Sequence, residues 1–178
     1  IDEFDSIRKG GKIAIVLKEN DELISVRKTC GKNEIVIGAS NGRMVRFDEN
    51  EVTSMGRSSS GVKGMELDGA IVVGAEVVES NQMVLIVTET GYGKQTVIDE
   101  YRLTHRGSKG VKALNITEKN GTMVALKRIE SEEHDIVIVT DNGTIMKMPL
   151  NQVSLLRRAT QGVRLINLKN NELVSTVA

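Results

Sequence analysis

Short apolar runs rich in β-branched side chains recur along this chain: Glu34-Ile-Val-Ile-Gly, Met83-Val-Leu-Ile-Val-Thr and Asp135-Ile-Val-Ile-Val-Thr. Runs of this length bounded by turn formers predict strands. Each meets a hairpin signal, Asn41-Gly42, Thr90-Gly91 or Asn142-Gly143. The two Asn-Gly pairs suit a type I′ turn, which needs positive φ at both central positions. The strands that follow, 43–47, 94–98 and 144–148, are half polar and are predicted to be more exposed. A further strand is predicted at 61–67, 110–116 and 162–168, and an acidic or polar turn then leads to the opening run of the next unit, as in "LISVRK", "IVVGAEVV" and "MVALKRI". No segment carries a 3.6-residue stripe of helical length. Pro149, the only proline, is placed where a strand leaves its sheet.

These signals repeat in register. The turn glycines Gly42, Gly91 and Gly143 each lie 19 residues before a loop glycine, Gly61, Gly110 or Gly162, and the period runs from 49 to 52 residues. A partial copy precedes them, since Gly11 stands six residues before Leu17 as Gly61 does before Leu67. Four strands per unit of about fifty residues indicate a propeller blade. The expected fold is all-β, a β-propeller-like repeat of four-stranded blades, with about three full blades plus flanking strands of neighbouring ones. It forms one domain over 1–178, with repeats near 22–67, 71–116 and 123–168, a partial repeat at 8–17 and a final strand near 172–178.

Charge changes this picture from architecture to chemistry. The 178 residues hold 24 basic and 24 acidic side chains, a formal net charge of zero. The windows 7–13, 54–64, 102–113 and 155–165, one per unit, nevertheless contain 12 of the basic residues and no Asp or Glu. They are Arg8, Lys9 and Lys12; Arg57 and Lys63; Arg102, Arg106, Lys109 and Lys112; and Arg157, Arg158 and Arg164. One such loop would be read as a solvated face. Recurrence at fixed register without acids instead predicts a basic belt suited to a duplex backbone, where affinity comes from neutralised phosphates and released counterions. The small residues Ser58, Ser59, Ser60, Ser108 and Thr160 permit close approach of backbone amides to phosphate. Aromatics at 2% argue against platforms that stack single-stranded bases. A propeller that meets an acidic protein partner is the alternative from another class, and the lack of tryptophan counts against the common Trp-Asp repeats.

Other candidate chemistry is weak. "TGYGKQT" (90–96) has the composition of a phosphate loop but lies between two strands and lacks the upstream glycine, so a hairpin is the better reading. "EEHD" (132–135) is one isolated acidic cluster and is not read as a metal site. His105 sits in a basic loop and is expected to meet phosphate or solvent; no Ser/His/Asp or paired-carboxylate constellation is present, so no catalytic residue is assigned. Cys30 cannot form an internal disulfide and no run of eighteen apolar residues occurs, which points to the cytoplasm and away from a membrane. The start at Ile1, inside patterned sequence, suggests a piece of a longer protein.

"GRMVRFDENEVTSMGRSSSGVKGMEL", "TETGYGKQTVIDEY" and "TDNGTIMKMPLNQVSLLRRATQGVRLI" resemble the family of C-terminal domains of bacterial DNA gyrase A along essentially the whole chain. The resemblance implies a β-pinwheel, a propeller variant with strands exchanged between blades, around whose basic perimeter duplex DNA bends. It implies no enzyme activity for this domain alone and no cofactor within it. The parent, a type IIA topoisomerase in which gyrase A is partnered by gyrase B, is expected to use ATP and Mg2+ elsewhere and to work at the nucleoid, and the piece itself is expected to be monomeric. Tyr92 and Tyr101 inherit no catalytic role from the family. The equivalent domain in the C protein of topoisomerase IV is a second resemblance, which the Gly-Tyr-Gly-Lys hairpin disfavours. The family's glutamine-arginine-arginine-glycine box is absent, with Arg157, Arg158 and Gln161 a partial echo, and three repeats are fewer than the family's six blades.

Overall fold

The computed structural model describes residues 4, 6, 7, 9–131, 133–169 and 171–178. Eleven strands are formed among them: β1 (Glu34–Ala39), β2 (Arg43–Asp48), β3 (Val72–Val78), β4 (Met83–Thr88), β5 (Tyr92–Val97), β6 (Val111–Lys112), β7 (Met123–Ile129), β8 (Asp135–Thr140), β9 (Ile145–Pro149), β10 (Val163–Arg164) and β11 (Val174–Val177). They build three antiparallel sheets in the orders β3-β1-β2-β6, β7-β4-β5-β10 and β11-β8-β9. Among the described residues no helix is long and apolar enough to cross a membrane.

A repeat in the sequence is not a blade in space. The hairpin β1–β2 is completed on its inner side by β3 and on its outer side by β6, both from the following repeat, and β4–β5 takes β7 and β10 in the same way. The runs expected to open each unit therefore pair with the hairpin before them. Exchange leaves β8–β9 with β11 alone, so two blades have four strands and the third has three among the described residues. The strands expected over 61–67 and before residue 30 are not formed; there, chain runs beside the first blade through Val16 N–H to the Ser59 carbonyl (3.1 Å), Ser25 Oγ to the Ala75 carbonyl (3.2 Å) and a two-pronged Arg27–Glu76 pair (2.8 and 2.9 Å).

The three hairpin turns are alike and differ from the type I′ expectation. Gly42 N–H donates to the Ala39 carbonyl (2.9 Å), Gly91 to Thr88 (3.0 Å) and Gly143 to Thr140 (3.1 Å), and only the glycine takes positive φ. The loops have an extra residue, so a type I turn followed by one left-handed residue closes them. Neither asparagine has to adopt that conformation.

Apolar layers lie between blades. Val36, Met44, Val84, Ile86, Ile98, Tyr101, Met123 and Leu126 fill the first, and Leu85, Val87, Ile136, Ile138, Leu150, Val153, Ile166 and Val174 the second. Both faces of a blade are thus covered, which overturns the expectation for the half-polar strands. β2 and β5 are almost entirely buried, while only β9, without a donated strand, alternates between exposed and half-buried. Two long polar side chains in the buried strands reach acceptors in the next repeat. Arg46 NH1 donates to the carbonyls of Ile98 (2.9 Å) and Tyr101 (3.0 Å), and Gln95 Nε2 to those of Leu150 (2.7 Å) and Val153 (3.1 Å). These positions correspond across the repeat, so one buried side chain per blade locks the 3-10 turn of the next.

Candidate nucleic-acid interface

The donated strands fix the basic loops. The loops 102–113 and 155–165 lead directly into β6 and β10 through Gly110 and Gly162, each with left-handed φ and no room for a side chain. A Cβ on Gly110 (φ 67°) would stand 2.3 Å from the Met44 carbonyl oxygen, and one on Gly162 (φ 78°) 2.9 Å from that of Gly93. The loops are thereby seated on successive blades at the same place and run beside one another. Gly107 N–H donates to the Gly64 carbonyl (2.7 Å), Glu66 N–H to that of Ser108 (2.9 Å), and Asn115 N–H to that of Thr160 (2.9 Å).

One arginine in each loop chains it to the loop before. Arg57 NH1 donates to the Ile13 carbonyl (3.1 Å), Arg106 NH1 to the Lys63 carbonyl (2.8 Å) and Arg158 NH1 to the Lys112 carbonyl (3.1 Å). The donor stands four residues before the loop glycine and the acceptor two residues after the preceding one, three times over. Arg106 also donates through Nε to the Glu51 carbonyl (3.2 Å). These half-buried arginines hold the row together as well as charging it. Arg106→Ala is expected to lower stability by about 1–2 kcal/mol, read as a reduced urea midpoint at unchanged m.

The remaining cations differ in how far they are neutralised. Arg8 lies outside the described residues. Lys9, Lys12, Arg102, Lys112 and Arg157 are exposed. Lys63 pairs with Glu66, and Lys109 with Asp68 (3.4 Å). Windows free of acid in sequence are thus not free of it in space, because Glu51, Glu66 and Asp68 fold in from just outside them. Such exposed pairs contribute about 0–1 kcal/mol and exchange readily for another anion. Lys63 holds the Glu66 carboxyl below its usual range. His105 is exposed, with Nδ1 3.5 Å from Glu51 Oε1. The fourth loop, 155–165, has no carboxylate partner among the described residues.

That loop is also pinned from beneath. Lys94, of the Gly-Tyr-Gly-Lys hairpin, is completely buried, and its Nζ donates to the carbonyls of Arg157 (2.9 Å) and Arg158 (2.6 Å) and contacts Thr160 Oγ1 (3.3 Å). Burial pushes its pKa down to about 8. With these carbonyls drawn inward, exposed Arg157 stands on a fixed turn, while the Arg158 guanidinium reaches back to the Lys112 carbonyl. Beside it, Arg164 NH2 donates to the Tyr92 hydroxyl (2.9 Å), which lowers the phenol pKa. Lys94, Tyr92, Arg43 and Lys119 border the loops without lying in the basic windows. For the last two the sequence signal was a cation beside a turn glycine or in the turn that follows a loop.

Among the described residues no group of three or more His, Cys, Asp or Glu could hold a metal ion, and Glu132 of the acidic cluster lies outside them. Cys30 is exposed, its thiol 3.2 Å from Asn33 Oδ1.

The fold and the sequence agree with known proteins. The chain has the fold of the C-terminal domain of DNA topoisomerase IV (TM-score 0.89, 24% identity, covering 98% of this chain and 55% of that one) and is similar to a DNA gyrase A C-terminal domain (TM-score 0.83, 25% identity, covering 95% and 58%). The DNA gyrase A proteins of Staphylococcus epidermidis and of Staphylococcus aureus are each 46% identical to it over 181 residues, all of this chain and 20% of theirs, so the chain spans about a fifth of the length of these relatives. A family described as the DNA gyrase C-terminal domain, beta-propeller, matches residues 1–30, 33–79, 82–130 and 134–178. With its exchanged strands and its in-register loops, the chain belongs to the DNA gyrase C-terminal domain family.

Proposed function

We propose that this chain binds duplex DNA without sequence preference, through phosphates, along the row of basic loops. The observation that carries the reading is the chaining of those loops: arginine-to-carbonyl bonds join in turn the loops that carry Lys9 and Lys12, Lys63, Arg102 and Arg157. A row of cations on rigid supports suits a polyanion whose charges are also regularly spaced. Lys63, Lys109 and Arg164 extend the track, and Glu66 and Asp68 release the first two when phosphate takes their place. Arg57, Arg106 and Arg158 contribute charge while holding the loops.

In the parent enzyme this domain would bend a DNA segment over its perimeter and present it, with defined handedness, to the topoisomerase core for ATP-dependent negative supercoiling. Smooth bending of a 20–30 bp site by 40–90° costs about 1–6 kcal/mol, which phosphate contacts must offset. The partners are duplex DNA, the rest of gyrase A, and gyrase B. The chain itself supplies no catalytic group, ATP and Mg2+ act elsewhere in the parent, and its place is the cytoplasmic nucleoid.

The test is the salt dependence of binding to linear duplex DNA. Wild type should give a log K against log salt slope of several units, and a variant with Lys9, Lys12, Arg102 and Arg157 changed to Gln a slope flatter by about 0.9 for each phosphate no longer neutralised. No binding of wild type at low salt would sink the proposal.

A further inference from the structure

At the two crossovers, where a donated strand enters the preceding blade, a loop cation meets one from outside the basic windows. At the first, Arg43 and Lys112 stand directly opposite each other across β2 and β6. Like charges so placed repel. Neither has a carboxylate partner among the described residues, and the Arg43 guanidinium is steadied only by the Gly110 carbonyl (3.1 Å). At the second, Arg164 stands opposite Tyr92 across β5 and β10. Its guanidinium lies 5.3 Å from the Tyr92 ring centroid, and the Lys119 ammonium lies 5.6 Å from the same centroid.

The ring steadies two cations that would otherwise repel. The phenol oxygen accepts from Arg164, which leaves its own O–H to donate. Three donor groups therefore converge on an open pocket whose one lining carboxylate, Glu172, is engaged by the Thr140 hydroxyl. The same structural position thus carries two uncompensated cations on each of two successive blades, supplied at the first by Arg43 and at the second by Lys119.

We infer that the crossovers are phosphodiester seats: Arg43 with Lys112, and Arg164 with Lys119 and the Tyr92 hydroxyl, each take one backbone phosphate of duplex DNA. The inference rests on the DNA-binding reading above and adds Arg43, Lys119 and the Tyr92 hydroxyl to the loop cations. An anion in each seat replaces repulsion with charge-assisted hydrogen bonds, two donors to one phosphate. At the first crossover, which has no such ring, that repulsion persists in the free protein, so removing one cation there should weaken DNA binding without weakening the fold. A structural residue would behave in the opposite way.

The experiment uses Arg43→Gln and Lys119→Gln, the two cations outside the loops, singly, with a linear duplex as the probe. Each should flatten the salt slope by about 0.9, while the melting temperature of free Arg43→Gln stays level or rises. In wild type carrying tyrosine labelled with carbon-13 at Cζ, DNA should move the Tyr92 resonance and leave that of buried Tyr101 in place. Unchanged slopes in both variants, with wild type still binding, would overturn the inference and leave the loops as the whole track. Weaker binding at unchanged slope together with a lower melting temperature would overturn it as well, by showing a structural role. Absence of salt-dependent binding in wild type would remove both readings.

Discussion

Gly110→Ala should lower stability by about 2–5 kcal/mol, through backbone strain and overlap together. An L-residue held at left-handed φ costs about 1–2 kcal/mol, and overpacking against a neighbour that cannot yield adds about 1–3. The neighbour here is the Met44 carbonyl, 2.3 Å from where the Cβ would stand, and it belongs to the backbone of β2. Relief would require β6 to lift from the blade it completes, freeing the Arg106 and Arg158 anchorage on either side. Gly61→Ala is the control, for its φ is 79° but its Cβ would meet only Ile15 Cδ1 at 3.8 Å. Only the conformational part, about 1–2 kcal/mol, should appear there. Equal losses in urea unfolding would mean that strand exchange contributes nothing to the sensitivity of Gly110.

The second expectation concerns pH. Lys94→Met removes the donor shared by the part-buried carbonyls of Arg157 and Arg158; the first keeps the Thr160 hydroxyl (2.9 Å), so only the second loses its side-chain donor, at a cost of about 1–3 kcal/mol. It also removes an ammonium whose burial is unfavourable, so near pH 7 the two effects partly cancel. The folded pKa is depressed from 10.5 to about 8. Between those values the unfolded chain binds the proton and the folded one does not, so stability from this group rises with pH across that window. A shift of this size corresponds to as much as about 3 kcal/mol. The neutral amine keeps two N–H donors for the carbonyls, so the wild-type protein gains the whole of it. The deficit of the mutant should therefore widen from pH 8 toward 10.5, measured as the difference in unfolding free energy so that titration of other groups cancels. A deficit that stays level or narrows would show that Lys94 stays protonated through this range.

Much of the architecture was legible from local pattern. The runs that became β1, β4 and β8, their turn glycines and the loop glycines 19 residues on are fixed by short-range chemistry, and the structure forms strands and left-handed turns there. What could not be read depends on which repeat supplies the fourth strand. β2 and β5 are half polar yet buried, because Arg46, Lys94 and Gln95 find their acceptors some fifty or more residues later in the chain. The alternation rule reads polar side chains as solvent-facing and has no information about such partners. The loop arginines show the same limit, since their register four residues before a glycine is visible in the sequence but the carbonyl each one meets is not. The acid-free windows misled in a smaller way: Glu51, Glu66 and Asp68 stand just outside them and return in space.

Strand exchange also sets a timetable for synthesis. The edge of β2 at Met44 waits for Val111, 67 residues later in the chain. At about 5–20 residues per second the ribosome leaves that edge open for roughly 3–13 seconds. An unpaired edge is a template for pairing with other chains, and natural proteins guard such edges with charge. Arg43, at the head of that strand, is placed to guard the nascent chain until the next repeat arrives.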